Sequence, residues 1–374
     1  MTGLASLRRL GIGVIAAVLT ACSTTDKPKP TPLEALQPTV QVQQVWRHSM
    51  GQPVAGLRMV ALPDRVVLAA EDGTVLMLDA ATGAERLRAK VSGGLSAGVG
   101  SDGRFVAVVT RDNELVVLEG ATERWRARLN ARVVTPPLVA GERVFVQGTD
   151  RVVEAFDAID GRKLWTLNRS SDPLALAQPG LLVAYKDTLL AGVGPKLVGV
   201  EPLLGTVRSE GSMATPRGTN EVERLADLVG PAARQGDVMC ARAFQSAVTC
   251  VNVERGNLLW SRNVGGYQGV AADADYVFAA DASDRISAWR MASGDVAWTS
   301  ERLRYRGLSA PLVVGSMVLW GDAEGYVHFL SRDKGDTLQR LPTDGSAIAA
   351  PLVRVGATVV VVTRSGGVFA FRAQ

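Results

Sequence analysis

The sequence is poor in the residues that build metal and redox centres. Its 374 residues include two histidines, His48 and His328, and three cysteines. The two histidines lie far apart, so the His/Cys spacing of a zinc site is missing. No nucleophile elbow, phosphate-cradling glycine loop or adjacent cysteine pair occurs either. We therefore expect no enzymatic activity, no metal and no cofactor beyond a covalent lipid.

Strong charge of one sign is also missing. The 41 Lys and Arg against 37 Asp and Glu give a formal charge of +4, and removal of Arg8 and Arg9 with the leader leaves about +2 (4 − 2). A balance this small excludes a nucleic acid as the expected partner. With 47% hydrophobic and 21% charged residues, the composition is that of a globular protein with a sizeable core.

The N-terminal apolar run is too short to cross a membrane. Leu10–Leu19 follows a positive stretch, and a bilayer needs about 20 apolar residues, so residues 1–21 are predicted to be a secretory signal peptide. The next residue is Cys22, in Leu-Thr-Ala-Cys, which resembles a lipobox. We expect Cys22 to be acylated; an ordinary signal peptide with a chance cysteine is the alternative. Arg8-Arg9 fits a twin-arginine signal poorly.

The residues after Cys22 are polar and rich in proline. Residues 22–40 are predicted to be a flexible, extended and unpacked tether to a lipid anchor. Ser23 follows the cysteine. By the resemblance to bacterial lipoproteins, an Asp at this position would be the signal for retention at the inner membrane. The expected location is therefore the periplasmic face of the outer membrane.

Beyond residue 40 the chain repeats one unit: a valine-rich run, a tight turn, a second β-rich run and a Gly, often followed by Trp. The eight copies are Arg65–Gly83, Arg104–Trp125, Arg143–Trp165, Asp187–Gly205, Asp237–Trp260, Tyr276–Trp298, Met317–Gly335 and Thr358–Arg372. Their spacing of about 40 residues is the period of a four-stranded propeller blade.

Residues 41–374 are thus predicted to form an all-β fold, an eight-bladed β-propeller of four-stranded antiparallel blades. Apolar residues alternate with period two on both sides of each turn, as in hairpin strands. An open solenoid would need atypical capping repeats, and none is seen. Val42–Trp46 resembles the strand that the last repeat lacks, so the N-terminal strand is expected to complete the last blade.

Tryptophan recurs at one place in the unit. Such residues could stack on ligands, but their recurrence at the blade period favours packing between neighbouring blades. The five are Trp46, Trp125, Trp165, Trp260 and Trp298.

Cys240 and Cys250 remain once Cys22 is acylated. Alignment of the repeats places them opposite each other across a hairpin, so a cross-strand disulfide is plausible in an oxidising periplasm. Two buried thiols are the alternative.

The repeat, the lipobox and the chain length together resemble the BamB family of propeller lipoproteins, which belong to the β-barrel assembly machinery of the outer membrane. The most specific segments are Asp172–Leu176 (DPLAL), Gly218–Asp227 (GTNEVERLAD) and Gly321–His328 (GDAEGYVH). The resemblance implies a non-catalytic scaffold that binds POTRA domains of the central barrel subunit and assists insertion of β-barrel proteins. Unfolded outer-membrane proteins are further expected partners.

The family's partner-binding positions map onto two loops of this chain. The leucine pair matches Leu174 and Leu176, and the second motif matches Arg224, Leu225 and Asp227. The family's arginine and second acid are replaced by Ala177 and Val229. The repeat series independently has its longest gaps around these segments, and binding tends to lie in such insertions.

Three alternatives stay open. The leucines alternate like a strand and would, without the resemblance, be read as core residues, and Asp227 as a solvated charge or cap. A pyrroloquinoline-quinone-dependent dehydrogenase also uses an eight-bladed propeller. Finally, blade edges could accept substrate strands directly.

Overall fold

The computed structural model describes residues 28–169 and 174–373. The chain forms eight separate four-stranded antiparallel sheets. Their innermost strands touch in succession, and the first and last of them meet, so the sheets form a closed ring. The expected all-β, eight-bladed propeller is confirmed. Within the described ranges, no helix has the length and apolar character needed to span a bilayer.

Each blade is a meander whose strands run outward from the ring axis. In chain order the strands are β1 Val42–Ser49; β2 Val60–Ala61, β3 Arg65–Ala69, β4 Thr74–Asp79, β5 Glu85–Lys90; β6 Leu95–Ser101, β7 Phe105–Thr110, β8 Glu114–Glu119, β9 Thr122–Arg128; β10 Leu138–Ala140, β11 Arg143–Gln147, β12 Val153–Asp157, β13 Lys163–Leu167; β14 Leu182–Tyr185, β15 Thr188–Val193, β16 Lys196–Val200, β17 Val207–Ser212; β18 Leu228–Gln235, β19 Val238–Ala243, β20 Ala247–Asn252, β21 Asn257–Arg262; β22 Ala271–Ala272, β23 Tyr276–Ala280, β24 Ile286–Arg290, β25 Val296–Ser300; β26 Leu312–Val314, β27 Met317–Gly321, β28 Tyr326–Ser331, β29 Thr337–Pro342; and β30 Val353–Val355, β31 Thr358–Val362, β32 Gly367–Ala373.

The two middle strands of each blade form the core. Every residue of β4, β7 and β31 is buried, because both faces of a blade pack against neighbouring blades. The expected alternation of buried and exposed positions is therefore absent from these strands. It is the outermost strands, such as β5 and β17, that carry the exposed residues.

The N-terminal strand closes the ring, as expected. β1 pairs antiparallel with β32, from Val42 opposite Ala373 to Ser49 opposite Gly367. The eighth blade thus combines three strands from the end of the chain with one from its beginning. Opening the ring therefore requires breaking either the hydrogen bonds within a sheet or the packing between two blades.

The recurring tryptophans pack between blades, and this prediction is confirmed. The indole N–H of Trp165 donates to the oxygen of Pro202 in the next blade at 3.0 Å. Its ring covers Gly205, where an added Cβ would lie 2.6 Å from an indole carbon. The other four tryptophans donate to Ala80, Ala158, Met291 and Arg332 in the same way.

The structure differs from the expectation of an unpacked tether. Cys22 lies outside the described residues, but residues 28–40 lie along the seventh blade. The Thr31 amide donates to Arg304 and the Thr39 amide to Leu338, both at 2.9 Å. Leu33 packs against the core of the sixth and seventh blades. Proline-rich composition removes donors, yet the remaining amides and apolar side chains of this segment find partners.

Candidate functional site

Two long loops meet at one end of the blade strands. Residues 168–181 connect β13 to β14, and residues 213–227 connect β17 to β18. Both leave an outermost strand and enter the next innermost one, so they emerge at the same face of the ring. Binding in propellers tends to use such loops, because strand positions are committed to packing.

An ion pair holds the two loops together. Asp227 Oδ1 accepts hydrogen bonds from Arg151 Nε at 3.0 Å and Nη2 at 2.8 Å. Its other oxygen accepts the backbone N–H of Leu176 at 2.8 Å. Arg151 Nη2 also donates to the oxygen of Leu174 at 2.8 Å. Since the side chains of Arg151 and Asp227 are only 9% and 14% exposed, this clamp is shielded from water and fixes the leucine segment.

The clamp presents Leu174 outward. Leu174 is exposed, and Leu176 is half-buried. Neither belongs to the buried core, so the core interpretation of these leucines is not supported for Leu174 and holds only in part for Leu176.

Leu174 shares a cavity with the second loop. The cavity has a volume of about 210 Å³, and its lining includes Leu174, Arg224 and Leu225. Lys196 and Glu210 lie on its wall, joined by an ion pair of 2.5 Å. The structure thus gathers all five predicted binding residues: three line the cavity, and the other two are joined by the hydrogen bond from the Leu176 amide to Asp227.

The two departures from the family pattern lie elsewhere. Ala177 is exposed and lines a separate cavity beside Pro179 and Tyr267. Val229 is fully buried and forms a bridge with Gly180. An acid at position 229 would have to be buried in this chain, so valine suits this backbone.

Arg151 was missed by sequence reasoning, although a signal existed. It occupies the turn position where other repeats place Gly73, Asn113 or Asp284, all with positive φ. Arg151 has a φ of 64° there, an unfavourable conformation for a long side chain. An arginine at this positive-φ position, where the other repeats have Gly, Asn or Asp, indicates a role for its side chain, which here is the clamp.

The third specific segment, Gly321–His328, belongs to a buried polar network and not to the two loops. His328 Nε2 lies 2.8 Å from Asp322 Oδ2, and both side chains are fully buried. Arg306 Nε donates to the same carboxylate at 2.8 Å. Burial lowers the pKa of His328, although Asp322 opposes this effect. Burial alone would raise the pKa of Asp322. The hydrogen bonds from His328 and from the Tyr326 amide outweigh this effect of burial, so the pKa of Asp322 is lowered.

The remaining pair of predicted residues lies in the fifth blade. Cys240 and Cys250 face each other in the β19–β20 register and are joined by a disulfide. Both are fully buried, so the bridge belongs to the core and not to the binding face. In the described part of the chain, no three His, Cys, Asp or Glu residues are grouped as metal ligands.

Comparisons with known proteins agree with this architecture. A family model described as "Outer membrane protein assembly factor BamB" matches residues 35–97 and 71–300. The protein of that name from Burkholderia pseudomallei is 37% identical over 369 residues, covering 96% of this chain and 97% of that protein.

Solved structures extend the likeness to the fold. The crystal structure of BamB from Moraxella catarrhalis superposes with a TM-score of 0.81 at 20% identity, over 89% of this chain and 100% of that one. A quinohemoprotein alcohol dehydrogenase from Comamonas testosteroni gives 0.69 at 13% identity, over 88% and 76% of the two chains. At these identities both likenesses show a shared fold alone.

Proposed function

Because the chain belongs to the family of the outer membrane protein assembly factor BamB, we propose that it is a scaffold lipoprotein of the β-barrel assembly complex. In this proposal it catalyses no reaction. It binds POTRA domains of the central barrel-inserting subunit and assists insertion of β-barrel proteins into the outer membrane. A lipid on Cys22 holds it at the periplasmic face of that membrane.

The observation that carries the proposal is the clamped loop pair. A rigid segment with an exposed Leu174, beside a cavity that also contains Arg224 and Leu225, offers an apolar contact surrounded by charge. Protein interfaces commonly combine an apolar centre with a polar rim. Because Arg151 and Asp227 fix the loop before binding, little conformational entropy is lost on association.

The decisive experiment measures the affinity for purified POTRA domains of the partner subunit. Replacing Leu174 and Leu176 together by alanine should weaken binding about tenfold or more, the effect of removing an apolar anchor worth at least about 1.4 kcal/mol. Leu203 and Leu204, exposed by 55% and 73% on the turn at the other end of β17, provide the matched control pair. Equal affinity of both double variants would contradict the proposal.

The anchor is tested separately. Labelled palmitate should enter the wild-type protein and not a Cys22→Ser variant, and the wild type should fractionate with the outer membrane. Labelling that persists in Cys22→Ser would contradict acylation at this residue.

Direct capture of substrate strands by blade edges is less well supported than scaffolding. The outermost strand pair of each of the eight blades has a register shift or bulge. Bulges twist an edge away from regular pairing and are a common protection against strand addition. Site-specific crosslinking tests this point: unfolded outer-membrane proteins should crosslink poorly to outer-strand positions.

The enzymatic alternative has its own test. A pyrroloquinoline-quinone-dependent dehydrogenase would bind the quinone saturably in the presence of calcium and turn over an alcohol. Such turnover would contradict the scaffold proposal.

A further inference from the structure

Six blades share one turn between their third and fourth strands. In each, a glycine with φ between 68° and 77° donates its amide to the oxygen four residues earlier. These residues are Gly83, Gly161, Gly205, Gly256, Gly294 and Gly335. The positive φ and the missing side chain leave a flat surface on the turn.

Five of these six glycines are covered by a tryptophan of the preceding blade. The covering residues are Trp46, Trp125, Trp165, Trp260 and Trp298. In every case the indole N–H donates to the backbone oxygen three residues before the glycine, at 2.8–3.0 Å. The fold therefore repeats a slot with a flat floor, one acceptor and an indole inside it.

The sixth slot, on Gly256, is open. A Cβ added to Gly256 would have no atom within 4 Å. In the preceding blade, Ser209 stands opposite Gly199 in the register, as Trp165 stands opposite Ala155, and each is the fourth residue after its turn glycine. Ser209 thus replaces the tryptophan, and no described residue donates to the oxygen of Val253, the acceptor of this slot.

The serine is too small to fill the space that a tryptophan would occupy, and its hydroxyl lies against Gly199. A cleft of about 40 Å³ lies between β17 and the Gly256 turn. Leu190, Leu197 and Val251 contribute its apolar lining.

Two exposed leucines follow the Gly256 turn on β21. Leu258 and Leu259 are 55% and 39% exposed, and Leu258 stands opposite Val251, which lines the cleft. Exposed apolar residues beside a cleft are typical of a docking site.

The chain itself has no residue to fill the slot. All seven tryptophans belong to the described residues and are buried or half-buried, five of them in slots of this kind. The undescribed residues 1–27, 170–173 and 374 contain no Trp, Phe or Tyr. A second copy would meet the same restriction, so the occupant must come from a different protein.

We infer that the cleft between the fourth and fifth blades binds a tryptophan side chain of a partner protein, with its indole N–H donated to the Val253 oxygen and its ring against Gly256. This cleft and the Leu174 cavity share one lining residue, Glu210. It is a second docking surface, beside the one at the Leu174 loop.

The probe is the blocked pentapeptide Lys-Leu-Trp-Thr-Leu, the sequence of β13, whose Trp165 fills the Gly205 slot. With 5-fluorotryptophan in the peptide, fluorine NMR reports binding to the purified full-length protein in mild detergent, against detergent alone. We expect saturable line broadening, and an affinity at least tenfold lower for the peptide with alanine in place of tryptophan.

Two variants at one position provide the matched pair. Ser209→Trp supplies the missing indole and should abolish peptide binding, whereas Ser209→Ala leaves the slot open and should retain it. Neither should change the affinity for POTRA domains, because Ser209 does not line the Leu174 cavity. Binding that survives Ser209→Trp, or no binding at millimolar peptide, would overturn the inference.

A second measurement is independent of how the variants fold. A peptide with a diazirine beside its tryptophan should crosslink to residues 209–211 and 251–256 of the unaltered protein. Crosslinks concentrated elsewhere would overturn the inference.

Discussion

The clamp between Arg151 and Asp227 gives a quantitative prediction. Removing one partner of a buried ion pair leaves an uncompensated charge and costs about 3–5 kcal/mol. The side chains here are 9% and 14% exposed, which relieves part of that penalty. We therefore expect Asp227→Ala and Arg151→Ala each to lower the free energy of unfolding by about 3 kcal/mol, and the double variant by little more.

Urea unfolding of the four proteins gives the coupling energy. The matched control is the exposed pair Lys186–Glu254, whose side chains are 52% and 54% exposed. Its cycle should give a coupling of about 0–1 kcal/mol. A coupling at Arg151–Asp227 as small as that of the control would refute the clamp.

The same cycle distinguishes positioning from contact. If Asp227 acts by holding the Leu174–Leu176 segment, each single variant should weaken POTRA binding equally and the double variant should add nothing. If Asp227 instead touches the partner, Asp227→Ala should weaken binding further in the Arg151→Ala background. The structure favours the first outcome, because both carboxylate oxygens of Asp227 already accept hydrogen bonds.

Three further predictions follow from buried groups. The double variant Cys240→Ala, Cys250→Ala should lower the free energy of unfolding by about 2–3 kcal/mol, because it removes the entropic constraint of a short disulfide ring. Thiol titration of the unfolded wild type should find these two thiols blocked. His328 has a pKa lowered by burial from the ordinary 6.5, so the unfolded chain takes up a proton first. The stability that this histidine contributes is therefore present above about pH 6.5 and falls as the pH drops towards 5; His328→Gln should remove this slope in urea titrations, whereas His48→Gln should keep it. Trp298→Ala should cost about 3–5 kcal/mol in the same assay, since it opens a blade interface and leaves its acceptor unpaired.

The repeat made the fold predictable in detail. The period fixed the number of blades, and the displaced strand ending in Trp46 indicated how the ring closes. The expectation that buried and exposed positions alternate along the middle strands was wrong. A run such as Thr358–Val362 is buried throughout, because in a propeller both faces of every blade are covered by neighbours.

The site was predictable in its location but not in its construction. The two loops and their leucines followed from the family pattern. The clamp did not, because Arg151 precedes Asp227 by 76 residues and belongs to a different blade. Pairing across blades leaves no local pattern in one sequence; only the unusual arginine in a positive-φ turn pointed to it.

The N-terminal segment shows most clearly how composition differs from contact. Residues 28–40 look like a free linker, yet Arg306 Nη1 donates to the oxygen of Thr31 and Arg340 Nη2 to that of Glu34, both at 3.0 Å. If Cys22 carries the lipid, the eight residues 23–30 separate the anchor from Thr31, the first described residue that hydrogen-bonds to the propeller, a reach of about 30 Å when fully extended. The seventh blade would then be held close to the membrane.

Amide hydrogen exchange tests whether this docking persists in solution. The amides of Thr31 and Thr39 donate to the seventh-blade region, so they should exchange well below the intrinsic rate. Arg340→Ala should raise exchange around Glu34, whereas Arg354→Ala, on the eighth blade and with its side chain donating to the oxygen of Gly356 two residues on, should leave it unchanged. Exchange of Thr31 and Thr39 at the rate of an unstructured peptide would mean that the segment is a free linker, and the constraint on the seventh blade would then disappear with it.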